Sequence, residues 1–188
     1  MMLIMRYPEG HKKAVRERIV RAAAAALRGR GLDGVSIPEV MRQAGLTHGG
    51  FYAHFRDRDE LAAEAIRAAA QETAAAVFAG GRSLEEVLER YLSPGHLEHP
   101  EAGCVVAALG AEGPRQSAPV RRAFAEAARG LLRLVEQRLH PESPPGEVSD
   151  EALLRASAMV GAVVLGRLVD DPRLAGRILT AARLPVAS

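Results

Sequence analysis

The chain has one cysteine, Cys104, no tryptophan, four phenylalanines and three tyrosines in 188 residues. A single cysteine excludes an intramolecular disulfide framework. No apolar run reaches the roughly 18 to 20 residues that a membrane-spanning helix needs; the most apolar stretch, ASAMVGAVVLG, is bounded by Arg155 and Arg167. The opening MMLIM is too short for a signal sequence and gives way to Arg6 and Pro8, so a soluble, cytoplasmic protein is expected. Also lacking are G-x-S-x-G, H-E-x-x-H, a P-loop and a glycine-rich dinucleotide loop, which argues against an enzyme, and no cofactor is expected.

What is present is alanine, leucine, arginine and glutamate, with apolar residues recurring at helical spacing almost throughout. That pattern predicts an all-α fold. Charge is unevenly divided along it. Residues 1–58 hold 11 Lys and Arg against 5 Asp and Glu, and the chain totals of 25 and 23 leave 14 against 18 for the rest. A basic head on an acidic body is the balance expected where one part meets a polyanion, although unevenly solvated helix faces give the same count.

The spacing predicts a first helix from about Gly10 or His11 to about Arg30, with Val15, Ile19, Ala22, Ala23, Ala26 and Leu27 inward and Lys12, Arg16 and Arg30 outward. Gly31 is placed to end it. Ser36 and Glu39 form an S-x-x-E capping box for a short second helix to Ala44, with Pro38 in its first turn. Gly45 suits a tight turn, and Thr47 suits the cap of a third helix to about His54 or Phe55. A helix, a turn and a helix behind a longer support match a DNA-binding arrangement, in which the second helix of the pair enters the major groove.

Within that third segment, GLTHGGFYAHF, two adjacent glycines weaken a helix by about 1 kcal/mol each relative to alanine. With Phe51 and Phe55 inward beside Leu46, Val40, Ile37 and Val35, the other side offers His48, Gly49, Tyr52 and Ala53. Small side chains there let a backbone settle deep in a groove, while His48 can reach a base edge or phosphate and Tyr52 a phosphate. Gly50 can equally serve close packing inside the chain. A connector helix then runs from about Asp57 or Arg58 to Ala79, with Asp57 or Asp59 suited to cap it and Arg56 and Arg58 at its phosphate-attracting start.

Beyond residue 80 the pattern predicts a short helix over 83–92 with a second capping box, Ser83 and Glu86. An irregular SPGHLEHPEAG segment leads into a buried CVVAALGAEG, followed by a helix over 117–139, an exposed PESPPGEVS linker, a helix over 150–169 and a last short helix. Leu153, Ala156, Val160, Val163, Val164 and Leu168 are expected inward on the 150–169 helix. Both long helices have apolar faces too broad for one neighbour, which suggests a two-fold dimer through Leu131, Ala158, Gly161, Ala162, Leu165 and Gly166, or close packing within one chain.

The run GLDGVSIPEVMRQAGLTHGGFYAHFRDRDEL resembles the N-terminal region of the tetracycline-repressor (TetR) type transcriptional regulators, above all in its Thr, its Phe-Tyr-x-His-Phe stretch and its basic residue before Asp-Glu-Leu. The resemblance implies a three-helix helix-turn-helix DNA-binding head, residues 1–58, and a larger helical ligand-binding and dimerisation body, residues 59–188. It further implies a ligand-responsive regulator, a repressor, that binds a pseudo-palindromic double-stranded DNA operator as a homodimer and is released by a small-molecule effector.

Carried over by position, Ser36, Thr47, His48, Gly49, Tyr52, His54 and Arg58 lie at DNA, with His48 and Gly49 nearest the bases. Arginine at 58 keeps the charge of the lysine that members often have there, whereas Pro38 replaces a residue that is often polar or basic. HPEAGCVVAALGAE is similar to a segment of a subset of these regulators. Pocket candidates in the body are Tyr91, His96, Cys104, Leu109, Glu112, Arg115 and Phe124, and few aromatics suggest a small, mostly apolar or electrophilic effector. Three alternatives stand beside this reading. His96, His99 and Cys104 could ligate a transition metal, though a polar loop beside a buried cysteine is preferred and no metal is expected; Cys104 could sense oxidants or electrophiles; or the basic face could bind protein as a helical adaptor.

Overall fold

The computed structural model describes residues 9–144 and 146–185, and the described residues form helices and turns without a β-strand. The first helix, α1 (Glu9–Arg30), ends where Gly31 takes φ +82°, and α2 (Ile37–Gln43) ends before Gly45 at φ +69°. Both glycines hold left-handed backbone that a Cβ would strain.

Two expected caps are not formed. Neither the Ser36 nor the Thr47 side chain accepts a backbone N–H, and the Glu39 carboxylate that would complete the box is paired with Arg30. The third segment is also not an α-helix. Residues His48–Ala53 wind as a 3₁₀ helix, with Gly50 N donating to Thr47 O at 3.1 Å and His54 N to Phe51 O at 2.9 Å. With two glycines and no capping side chain, the segment is short enough for the tighter i→i+3 winding to hold.

The connector starts as expected. Asp57 accepts from Glu60 N at 2.8 Å and opens α3 (Arg58–Thr73), which continues into a π-helical turn, Ala74–Phe78. The Ser83 and Glu86 capping box is formed in both directions ahead of α4 (Leu84–Tyr91). The segment expected to be irregular contains a short helix, α5 (Pro94–Glu98), capped by Ser93, and a 3₁₀ turn, Pro100–Ala102. Then come α6 (Val105–Leu109), a 3₁₀ turn at Gly113–Arg115, α7 (Ala118–Leu139), α8 (Asp150–Leu168) and α9 (Pro172–Ala181).

One apolar core joins Ile19, Met41, Phe51, Phe55 and Ile66 to Val105, Leu109, Val120 and Phe124, so packing runs without a break across residue 58 from α1–α3 onto α6 and α7. A second core, in the body alone, gathers Phe78, Val87, Tyr91, Leu92, Cys104, Leu131, Val135, Met159 and Val163.

The inward face of α8 differs from the expected one. Ala152, Ala156, Met159, Val163 and Gly166 face the core, while Leu153, Val164 and Leu168 stand exposed beside Leu154 and Leu165. Apolar residues surround this helix on nearly every side, so periodicity could not choose a face. Small residues decide it. A Cβ on Gly166 would lie 3.0 Å from Leu97 Cδ2, and buried Arg155 reaches the carbonyls of Ala182 and Leu184 at 3.3 and 2.8 Å. Of the residues expected at a dimer face, Leu131, Ala162 and Gly166 are therefore covered by their own chain, Ala158 and Gly161 are half-buried, and Leu165 is exposed.

The linker between α7 and α8 is fastened by buried Glu136, whose carboxylate accepts from Ser149 Oγ at 2.7 Å, Ser143 Oγ at 2.7 Å and Ser149 N at 2.9 Å. These bonds, the Ser149 hydroxyl first, hold its pKa down to about 2. A carboxyl depressed on folding adds stability above its ordinary pKa of 4.5 and loses it as pH falls towards 2. Thermal melting from pH 6 to about pH 2 is expected to show a steeper loss in the wild-type protein than in Glu136→Gln; parallel curves would count against this role.

Candidate nucleic-acid interface

At the 3₁₀ turn the chain turns two aromatic rings inward and leaves the other side bare. Phe51 and Phe55 are buried and stacked at 5.6 Å, and Tyr52 stands edge-on to Phe51 at 5.2 Å while remaining 69% exposed. His48, Gly49 and Ala53 are exposed beside it. A Cβ on Gly49 would meet nothing within 4 Å, and one on Gly50 would make only an ordinary contact, 3.6 Å from Met41 Cε. Neither glycine is demanded by packing within the chain.

Ser36 and Thr47 are exposed at the starts of α2 and the 3₁₀ turn. The other two residues carried over are more constrained. Arg58 donates to the carbonyl of Leu32 and lies 3.8 Å from Asp33, which ties it to the loop between α1 and α2. His54 is half-buried, with Nδ1 enclosed and unpartnered, and burial together with Lys12 and Arg16 pushes its pKa down. A neutral ring results at ordinary pH.

One residue read as merely exposed holds the turn in place. The Arg16 guanidinium lies 4.1 Å from the Phe55 ring centroid, donates to the His54 carbonyl, and pairs with Glu60 at 2.9 Å and with Glu64. Cation, ring and two carboxylates thus lock α1, the end of the turn and α3 together. The readable signal was Glu60 and Glu64, one helical turn apart on the connector.

The body carries a groove of about 320 Å³ lined by His96, Cys104, Thr73, Arg90, His99 and Gly103. The His96 ring is fixed on both sides: Nδ1 lies 2.6 Å from the Tyr91 carbonyl and Nε2 accepts from Cys104 N at 2.9 Å. A carbonyl can only accept and an amide only donate, so the ring is neutral with its proton on Nδ1. Burial, helped by Arg167, lowers its pKa in agreement.

Behind it Tyr91 packs edge-on to the ring at 4.7 Å, and its buried hydroxyl makes no hydrogen bond. Burial, then the neighbouring Cys104 thiol, pushes that phenol well above its usual pKa. Cys104 itself is 3% exposed.

The remaining pocket candidates lie elsewhere. Leu109 and Phe124 belong to the core shared with the head, Arg115 is exposed on a turn, and Glu112 accepts from Leu32 N at 2.9 Å. Leu109 is set there by α6, Glu112 and Arg115 by the turn that follows it, and Phe124 by α7. The metal alternative meets the same geometry: both His96 nitrogens are engaged, His99 faces Glu101 at 3.2 Å, and no group of three His, Cys, Asp or Glu among the described residues is placed to hold an ion. Among the described residues no helix is long and apolar enough to cross a membrane.

Comparison with known proteins matches residues 19–65 to a family described as bacterial regulatory proteins, tetR family. Over 166 residues, 83% of this chain and 86% of the relative, the sequence is 30% identical to an uncharacterized HTH-type transcriptional regulator of Mycobacterium tuberculosis strain H37Rv. Among solved structures, a TetR transcriptional regulator from Chloroflexus aurantiacus is similar with a TM-score of 0.73 at 23% identity, covering 93% of this chain and 94% of that one. The reduced form of E. coli NemR gives 0.70 at 21% identity, with 90% and 93% covered. AibR in complex with isovaleryl coenzyme A and operator DNA gives 0.63 at 15% identity, with 90% and 96% covered. At these identities the structures speak to the fold alone.

Proposed function

Because the chain belongs to the TetR family of transcriptional regulators, we propose that it is a repressor that binds a pseudo-palindromic operator as a homodimer and leaves it when a small molecule occupies the body. The observation that carries the operator reading is the bare side of the 3₁₀ turn. His48, Gly49 and Tyr52 project away from a buried Phe51 and Phe55, and no internal contact explains the absence of a Cβ at 49. His48 and Gly49 then lie closest to base edges, while Tyr52, Thr47 and Ser36 meet phosphates. Arg58 and His54 act mainly by supporting the surface, given their bonds and burial.

The effector reading rests on the groove at His96 and Cys104, where the unsatisfied Tyr91 hydroxyl lies behind the lining. The neighbour AibR is seen with an acyl thioester and operator DNA together, which supports an organic effector in this fold. A ligand that binds the DNA-incompetent arrangement more tightly releases operator by the ratio of its two affinities. The dimer reading rests on the exposed Leu153, Leu165 and Leu168 of α8 with Leu174 of α9, an apolar stripe that a second copy would cover.

The test is binding to the chain's own upstream DNA across a salt series, beside the double variant His48→Ala, Tyr52→Ala. Sequence-selective binding is expected to fall by about 10³ to 10⁵ between about 50 and about 200 mM salt, as for roughly 6 to 10 phosphate contacts. The variant should lose at least about tenfold in affinity for the selected site. Equal, weak binding of all DNA by both proteins would overturn the operator reading.

A further inference from the structure

A single buried cation joins the floor of the groove to the N-terminal head. Arg28, in the last turn of α1, is 5% exposed, and its three nitrogens reach three different elements. Nε donates to Ala24 O at 3.1 Å, Nη2 pairs with Glu72 of α3 at 2.7 Å, and Nη1 donates to the Gly103 carbonyl at 3.1 Å. Thr73, a groove residue, also directs its hydroxyl at that carbonyl, 3.4 Å away. A buried guanidinium is tolerated only while its donors are matched, so the position of the Gly103 carbonyl matters to α1.

Gly103 is in turn set by the groove. A Cβ there would fall 2.5 Å from His96 Cδ2, so ring and backbone already touch, and the next amide, Cys104 N, donates to the same ring. On the other side Arg167 of α8 donates to the carbonyls of His96 and Leu97, at 2.5 and 3.3 Å. Displacing the ring therefore displaces residues 103 and 104. A second contact from the body does not involve the groove: Glu112 accepts from Leu32 N, two residues beyond the end of α1, while Arg58 donates to Leu32 O. That contact holds the chain just beyond the end of α1.

We propose that Arg28 is the positioning residue through which occupancy of the groove reaches the DNA-binding head. A molecule seated against His96 moves the Gly103 carbonyl off Arg28, and the C-terminal end of α1, released at that point but still held at Leu32, shifts together with the loop that leads into α2, while Arg16 keeps the rest of α1 on the 3₁₀ turn and α3. The inference rests on the groove being the effector site. It extends that reading by naming the contact that carries the signal, since two elements that share a contact have coupled equilibria.

Gly103→Ala serves as the probe, because its Cβ forces the His96 ring aside without any effector. In the full-length protein it is expected to weaken binding to the upstream DNA about tenfold and to speed hydrogen exchange at Leu32 and across residues 37–43. Placed on Arg28→Lys, which offers one nitrogen where arginine offers three, the same change is expected to add less than about twofold in both measurements. Arg28→Met repeats the cycle without charge at that position, and thermal melting shows that each variant is compared while folded.

Effects that multiply in the double variants, or a Gly103→Ala protein unchanged in both measurements, would overturn the proposal. Exchange is read on the free protein, so the coupling is tested even if no selective DNA binding is found. That failure would overturn the operator reading alone.

Discussion

Replacing Phe51 by alanine is expected to destabilise the head by about 3–5 kcal/mol, the range for deleting a fully buried aromatic ring. The ring is completely enclosed, stacks on Phe55, and underlies the surface formed by His48, Gly49 and Tyr52. Only a short 3₁₀ turn holds those three residues, without a capping side chain at its start, so the ring supplies much of what the local hydrogen bonds do not. Chemical denaturation should show the loss, and operator binding should vanish well below the temperature at which the body's own core, around Tyr91 and Val135, gives way. A variant that melts like the wild type and binds DNA normally would show that the turn is held from elsewhere, with Arg16 the first suspect.

Charging the exposed stripe of α8 gives the second large effect. Leu165 is 54% and Leu168 75% exposed in the single chain. Leu165→Glu with Leu168→Glu should therefore leave the fold of one chain nearly unchanged, yet bury two carboxylates if a second copy packs there. Sedimentation is expected to change from dimer to monomer. Operator affinity should drop by about 10² to 10⁴, the advantage that two joined heads have over one. A double variant that remains dimeric would move the interface off α8.

Much of the head was legible because its signals are local. Gly31 and Gly45 marked two chain reversals that need left-handed backbone, Asp57 and Asp59 marked the start of α3, where Asp57 forms the cap, and the Phe51 and Phe55 spacing marked the buried side of the third segment. Capping was less readable. Ser83 with Glu86 formed its box, whereas Ser36 with Glu39 did not, because Arg30 from a different helix took the glutamate. The same letters gave both outcomes, and a tertiary ion pair decided between them.

The body was harder to read for a related reason. On α8, Leu153, Val164 and Leu168 look as suited to a core as Met159 and Val163. The choice fell to Gly166, which Leu97 can approach, and to Arg155, which finds its acceptors at Ala182 and Leu184. Leu109, Glu112 and Phe124 were expected at the same pocket as His96, but α6 and α7 set Leu109 and Phe124 in the core shared with the head, and Glu112 bonds to the loop beyond α1. Tyr91, His96 and Cys104 do meet, through bonds between the His96 ring and the Tyr91 carbonyl and Cys104 amide, backbone groups that no side-chain pattern displays.

The core that runs across residue 58 makes the head a poor candidate for a detachable cassette. Ile19, Phe55 and Ile66 share one apolar cluster with Val105, Val120 and Phe124. A cut at that boundary would expose both sides of the cluster to water. Grafting this head onto another body, or another head onto this body, then requires the α6 and α7 faces to travel with it. The grammar of exchange in such a chain is the shared surface, and the unit that can be inherited, recombined or engineered as a piece is larger than the segment that touches DNA.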